Sequence, residues 1–206
     1  MSPKVSKEHK EQRRASILAA AKTVFIRLGY EKTTIKDVME EASVSRGGLY
    51  QYFSNKEDLY EAILSENLQQ AITAINETLS KEHSSYWNML VSLILGEDME
   101  ANDEMDPLAP VNLEFFITGK NDPRRREYAI DRYSEGIKLY EKIILKGEKA
   151  GEFQLKMPAD IISQSINTFI DGLALGHVLL PEQQIRLKEQ TQLLMEYLRW
   201  VLGVES

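Results

Sequence analysis

The chain of 206 residues contains no cysteine. That absence excludes disulfides, thiolate metal sites, iron–sulfur clusters and cysteine nucleophiles together, and it fits a reducing cytoplasm, where we expect the protein. Long apolar runs are also missing. No stretch approaches the ~20 apolar residues that span a bilayer, so no membrane partner is expected. Basic residues near the N-terminus precede Ile17–Ala21, but Lys22 and Arg27 interrupt the run and no small-residue cleavage site follows, which argues against a signal peptide. The three histidines, His9, His83 and His177, are too scattered for a metal site, and the sequence has no HExxH. With no Ser–His motif and no phosphate-cradling glycine loop, we expect neither metal, cofactor nor enzyme activity. Internal repeats and low-complexity tracts are absent too.

What is present is an uneven distribution of charge. The whole chain has 25 Lys+Arg against 32 Asp+Glu, a net charge of −7. An acidic chain reads at first as a poor partner for nucleic acid. Residues 1–60, however, contain 11 basic and 8 acidic residues, and the remainder 14 basic against 24 acidic. A basic head of +3 and an acidic body of −10 suggest two modules with different partners.

Nearly every segment has helical period, and none shows convincing strand alternation, so the expected fold class is all-α. Ile17, Ala21, Val24, Phe25 and Leu28 form one stripe, ended by Gly29. Thr34 with Asp37 reads as a capping box for a helix of about 35–42. Ser43-Val44-Ser45 interrupts, and a third helix is expected over about 45–53. Ser54 with Glu57 reads as a second capping box, opening a helix to about Ser80 with Leu64, Leu68, Ile75 and Leu79 on its stripe. Beyond it we expect helices at about 86–95, 111–118, from Pro123 to near Gly151, 159–180, and 181–202, with an acidic loop at 96–106 that includes Glu97.

The informative stretch is Thr33–Lys56. Two short helices joined by a tight turn, after a longer supporting helix, make a helix-turn-helix, whose second helix suits a major groove ~12 Å wide. Within Ser45-Arg46-Gly47-Gly48-Leu49-Tyr50-Gln51-Tyr52-Phe53, two adjacent glycines cost about 1 kcal/mol each relative to alanine in a helix interior. Close approach to a DNA backbone would favour them. Leu49 and Phe53 suit the core, which leaves Arg46, Tyr50, Gln51 and Tyr52 facing outward.

From about Arg13 to Ile63 the sequence closely resembles the TetR family of bacterial transcriptional regulators. The likeness lies in Gly29-Tyr30, Thr33-Thr34-Ile35, Val38, Ala42, Val44-Ser45-Arg46-Gly47-Gly48-Leu49-Tyr50, Tyr52-Phe53 and Lys56-Glu57-Asp58-Leu59. It implies an N-terminal three-helix DNA-binding domain at 1–55 and a larger helical domain at 56–206 for effector binding and dimerisation. In the family's pattern, phosphate contacts map onto Thr33, Thr34, Tyr52 and Lys56, and base readout onto Arg46, Gly47, Gly48, Tyr50 and Gln51, with Ser45 opening the segment. Arg favours guanine and Gln adenine. Gly48 replaces the commoner hydroxyl residue, which implies one base contact fewer, and Gln51 stands where His is frequent, which leaves the preferred base open. The basic run Lys4, Lys7, Lys10, Arg13 and Arg14 would add backbone contacts.

For the body, an effector pocket is expected near Trp87, Met89, Phe115, Phe116, Tyr128, Tyr133 and Tyr140. Aromatic walls with acidic surroundings suit a flat or cationic ligand. The segment 159–180 is apolar around more than half its circumference, as a helix buried on two sides would be. With the last helix it is expected to form the dimer interface, through Phe169, Gly172, Leu173, Gly176, Leu194, Leu198 and Val201. The partners implied are a double-stranded DNA operator, a second copy of the chain, and a small-molecule effector. The leading expectation is a homodimeric repressor released from a palindromic operator by a small molecule. The alternative is an architectural or constitutive DNA-binding dimer without an effector.

Overall fold

A computed structural model describes residues 7–79, 85–96 and 98–204, with nothing to be said of the side chains of Leu79 and Glu182. The expectations for Lys4, the Leu79 side chain, Ser80, His83 and Glu97 fall outside it. Helices α1 (Lys7–Leu28), α2 (Ile35–Glu41), α3 (Arg46–Tyr50) and α4 (Lys56–Leu79) come first. Next are α5 (Tyr86–Leu95), α6 (Ala109–Thr118), a 3₁₀ turn (Gly119–Asn121) and α7 (Pro123–Lys149). Last are α8 (Ala159–Leu179), the single turn α9 (Glu182–Ile185) and α10 (Leu187–Leu202). The fold is all-α, and the described residues contain no strand.

The chain divides into two compact units, Met1–Gln69 and Gln70–Ser206. The division falls inside α4. Its first turns belong to the head because Leu59, Tyr60 and Ile63 are buried there, with the Tyr60 ring edge-on to Phe25 at 4.7 Å and tilted against Tyr30 at 5.2 Å. Ile17, Ala21, Val24 and Phe25 of α1 are fully buried beneath α2 and α3, joined by Val38 and Leu49. Gly29 adopts φ 79°, the left-handed stop that a glycine accepts without a Cβ penalty.

Local signals set the head's helix starts. Thr34 and Asp37 form the expected capping box, and the Thr34 hydroxyl and N–H hold the Asp37 carboxyl below its usual pKa. The cap of α4 differs from expectation. Asn55, not Ser54, accepts the Asp58 N–H at 2.7 Å, because the helix begins one residue later and the acceptor must lie three before the donor. Helix α3 is also shorter than the 45–53 expected, with Gln51 as its C-cap.

In the body, α7 packs against α5 and α8 over a core that includes Leu90, Ile143, Ile144, Ile162, Ile166, Leu194, Leu198 and Val201. Burying such side chains stabilises by roughly 1.5–3 kcal/mol each before entropy is counted. Gly147 is required by packing. A Cβ there would lie 2.3 Å from the Phe153 ring, which turns back under α7. Glu152 of the same turn accepts the Ser85 hydroxyl and the N–H groups of Tyr86 and Trp87, pinning the start of α5 to the end of α7. The helix expected over 181–202 is broken at Arg186, whose φ of 50° and ψ of 51° separate α9 from α10.

Candidate nucleic-acid interface and the body's surfaces

Helices α2 and α3 are joined by a turn in which Ser43 adopts φ 49°. Ser45 then caps α3, its hydroxyl accepting the Gly48 N–H at 3.2 Å. Leu49 is fully buried, and that anchors the helix by one face. The opposite face carries Arg46, Gly47, Tyr50 and Gln51, all exposed. The Arg46 guanidinium lies over the Tyr50 ring at 5.6 Å, so cation and aromatic share one patch. A Cβ built on Gly47 would meet nothing within 4 Å, and one on Gly48 would come within 3.3 Å only of the Ser45 hydroxyl. Packing within the protein does not demand a glycine at 47. A bare backbone there leaves room for an outside surface to come close.

Several residues mapped by family pattern are placed differently from that expectation. Thr33 is buried, and its hydroxyl donates to the Gly29 carbonyl at 2.6 Å, so it closes the end of α1 rather than presenting a phosphate donor. Thr34 is exposed but its hydroxyl serves the cap, donating to Asp37 at 2.6 Å. The Lys56 ammonium donates to the carbonyls of Tyr30 and Glu31 at 2.9 and 3.2 Å and rests over the Tyr30 ring. It is half-buried and holds the α1–α2 connection. Tyr52 follows α3 in a turn and is half-buried. In the basic run, Lys7, Lys10 and Arg13 are exposed on α1. Arg14 departs from a DNA-facing role, since it pairs with Glu66 and lies over Phe53 at 5.4 Å. The uses of Lys56 and Arg14 are invisible to local spacing, because their partners lie 25 to 52 positions away.

Comparison with known proteins agrees with this geometry. Residues 17–63 match the family model for bacterial regulatory proteins of the tetR family, and residues 94–188 match that for tetracyclin repressor-like C-terminal domains. The chain is 37% identical over 206 residues to the uncharacterized HTH-type transcriptional regulator YfiR of Bacillus subtilis, covering 100% of both. It is 26% identical over 172 residues to the HTH-type transcriptional repressor Rv1474c of Mycobacterium tuberculosis, covering 83% of this chain and 85% of that one. Its fold matches Bacillus subtilis FadR, solved in complex with stearoyl-CoA, with a TM-score of 0.67 at 22% identity, over 93% of this chain and 99% of that one. The chain belongs to the TetR family. It is a helix-turn-helix transcriptional regulator.

The TetR-family body offers two surfaces. The first is an open groove of about 790 Å³ along α7, lined also by Phe116, Lys120 and Asn121 and by Asp160 and Gln164 of α8. Ala129, Ile130, Tyr133 and Ile137 floor it. Of the residues expected to line a pocket, Phe116 and Tyr133 line this groove. Trp87, Met89 and Phe115 do not, being buried in the body's own interior. Tyr128 packs edge-on against Phe115 at 6.2 Å, and Tyr140 packs against the main core. Arg125 donates to the Phe115 carbonyl and to Thr118, tying the end of α6 to α7. Among the described residues no cluster of three His, Asp or Glu is arranged to hold a metal, and no helix is long and apolar enough to cross a membrane.

The second surface is apolar. Leu173, Leu194, Leu198 and Val201, expected at a dimer interface, are buried inside the protomer instead. Leu173 of α8 and Leu194, Leu198 and Val201 of α10 face the body's own core, and in a single sequence such stripes have the same period as an interface. A different stripe is open: Ile161, Leu175, Val178 and Leu179 on α8, and Leu193, Tyr197 and Trp200 on α10. Gly172 is exposed with nothing near its absent Cβ, Gly176 is half-buried beneath Ile185, and Phe169 is half-buried against the core. Thus α8 is covered on one side only.

Proposed function

We propose that this TetR-family regulator is a homodimeric repressor that leaves a palindromic operator when a small molecule occupies its helical body. The observation carrying the DNA half is the exposed Arg46–Gly47–Tyr50–Gln51 face on a helix capped by Ser45 and anchored by Leu49. Arg46 and Gln51 would read base edges, and Tyr50 and Tyr52 would add stacking or phosphate contacts. Lys56 and Thr33 act in this reading by holding the loop between α1 and α2 in place, while the N-terminus of α2 points its free amides at a phosphate.

The uncovered apolar stripe of α8 and α10 supports dimerisation. Two recognition helices must sit about 34–36 Å apart to enter successive major grooves, which a twofold pair supplies. The groove supports an effector, and FadR's complex with stearoyl-CoA is a precedent for ligand binding on this fold. An effector that binds the released conformer better by 1–3 kcal/mol changes operator affinity up to ~150-fold. Such a protein would work in the cytoplasm.

The deciding experiment is a footprint of the full chain on DNA flanking its own gene, repeated with Arg46→Ala. We expect a protected palindrome, and a loss of about 1–3 kcal/mol in the variant with relaxed sequence preference. Equal protection by Arg46→Ala would sink the readout. A screen of apolar ligands by thermal shift separates the effector-controlled repressor from a constitutive DNA-binding dimer, since only the former gains stability with a ligand that also releases the operator.

A further inference from the structure

A ring holds Arg46 where carboxylates hold other arginines of the head. The Arg14 guanidinium pairs with Glu66, and that of Arg27 with Glu41 at 3.0 Å. Arg46 is the one cation on α3, and among the described residues no acidic side chain pairs with it. Its guanidinium carbon lies 5.6 Å from the centroid of the Tyr50 ring, within the distance at which a cation is drawn to an aromatic face. Residues four apart share a helix face. Helix α3 has five residues, so the contact spans it from its first residue to its last.

The two kinds of partner differ in what they leave free. A carboxylate takes up the N–H donors of a guanidinium, two at once when the pair is bidentate, and those donors must be released before they can serve a base. A ring engages the flat face of the guanidinium and leaves the five N–H donors at its edge unspent. Guanine is recognised from that edge, by two parallel bonds to O6 and N7, so readout depends on the angle of the plane as well as on its reach. An exposed arginine has many rotamers to give up before it meets that geometry. Gly47 and Gly48 have no side chain for it to lie against. Tyr50 is 42% exposed, so over half of its surface rests on the protein, and a tyrosine has only two side-chain torsions to fix. The ring is therefore the steadier member of the pair.

We propose that Tyr50 is a positioning residue for sequence readout: its ring orients the Arg46 guanidinium, and the base preference that Arg46 exerts depends on that ring and not on the Tyr50 hydroxyl. This rests on the reading above, in which Arg46 contacts a base. Duplexes enriched from a random pool by the full-length protein give the operator, and the same enrichment with Arg46→Ala gives the base pair whose preference needs Arg46. Affinities for all four bases at that pair are then measured for the wild type, Tyr50→Phe and Tyr50→Leu, and for both changes combined with Arg46→Ala. Tyr50→Leu is expected to lower the preference for the best base about two- to fivefold, the weight of an exposed contact of this kind, with preferences at other base pairs unchanged. Tyr50→Phe keeps the ring and is expected to keep the wild-type preference. With Arg46→Ala in place, neither change is expected to alter the preference further.

A Tyr50→Phe protein whose preference falls overturns the proposal whether or not Tyr50→Leu folds, because the hydroxyl is then the acting group. Circular dichroism checks the fold of each variant, and Tyr50→Gln supplies the ringless comparison if Tyr50→Leu fails that check. A folded ringless variant that loses affinity equally for all four bases also overturns it, since that is the mark of a lost phosphate contact. So does one whose preference still falls when Arg46 is already alanine. The two readings fail separately. If Arg46→Ala changes no base preference, the readout by Arg46 is lost and Tyr50 has nothing to position. If an Arg46-dependent base pair exists and a folded ringless variant leaves it untouched, only the role of Tyr50 is lost.

Discussion

The head and the body use apolar and polar residues by different logics. In the head, Ile17, Ala21, Val24 and Phe25 of the α1 stripe are fully buried, and the polar residues of α3 are the exposed ones. In the body, α8 and α10 each carry two apolar faces, one covered and one open. A surface built to meet DNA is recognised by what it exposes. A surface built to meet another apolar surface looks, in one sequence, like more core.

Neighbours on α10 offer the sharpest way to break that contrast. Leu194 is 2% exposed and Leu193 is 59% exposed. Leu194→Ala is expected to cost about 2–5 kcal/mol of stability, read from the urea midpoint, because it leaves a cavity in the body's core. Leu193→Glu should keep its helix content and instead shift the sedimentation of the protein from dimer to monomer. A Leu193→Glu protein that stays dimeric would remove the open stripe from the interface.

That pair also marks where the sequence stops being readable. Helix existence followed from period alone, and Tyr86–Leu95 has the expected ends because Ser85 caps it and Gly96 closes it. The expected interface residues Leu173, Leu194, Leu198 and Val201 are buried within the protomer, since a stripe's period says nothing of which neighbour covers it. The break at Arg186 carried no glycine or proline to announce it. In the head, the outward set Arg46, Gly47, Tyr50 and Gln51 was legible because Leu49 and Phe53 claim the core face. The roles of Thr33, Lys56 and Arg14 were not, because their partners are backbone carbonyls or distant side chains.

Thr33 gives the next largest effect. Its buried hydroxyl satisfies the Gly29 carbonyl. Thr33→Val is isosteric and should destabilise the protein by about 1–3 kcal/mol in chemical denaturation. Weakened operator binding at unchanged stability would return Thr33 to the DNA-contacting group and narrow the contrast between buried and exposed polar residues in the head.

A smaller effect tests the glycine. Gly47→Ala meets nothing within the protein, so it should stabilise α3 by about 0.5–1 kcal/mol through helix propensity and the unfolded state. The same change should weaken operator binding, because a methyl group is added to the face proposed to approach DNA. A higher melting temperature together with unchanged affinity would show that the bare backbone serves no contact.

The smallest effect lies in the body and depends on pH. Desolvation raises the Glu152 pKa, but the bonds from the Ser85 hydroxyl and the Trp87 and Tyr86 N–H groups outweigh it, and the net value lies below the ordinary 4.5. A carboxyl with a depressed folded-state pKa favours folding above its unfolded value and loses that contribution as pH falls through the folded one. Glu152→Gln should therefore melt lower than wild type at pH 7, with the gap closing as pH drops below about 4.5. The head lacks this link, so its operator affinity should be insensitive to the substitution at neutral pH. A melting gap that stayed constant down to pH 3 would mean that Glu152 acts through shape alone, since glutamine differs from the protonated acid by little else. A gap that closes would identify the charge on Glu152 as what ties the first turn of α5 to the end of α7.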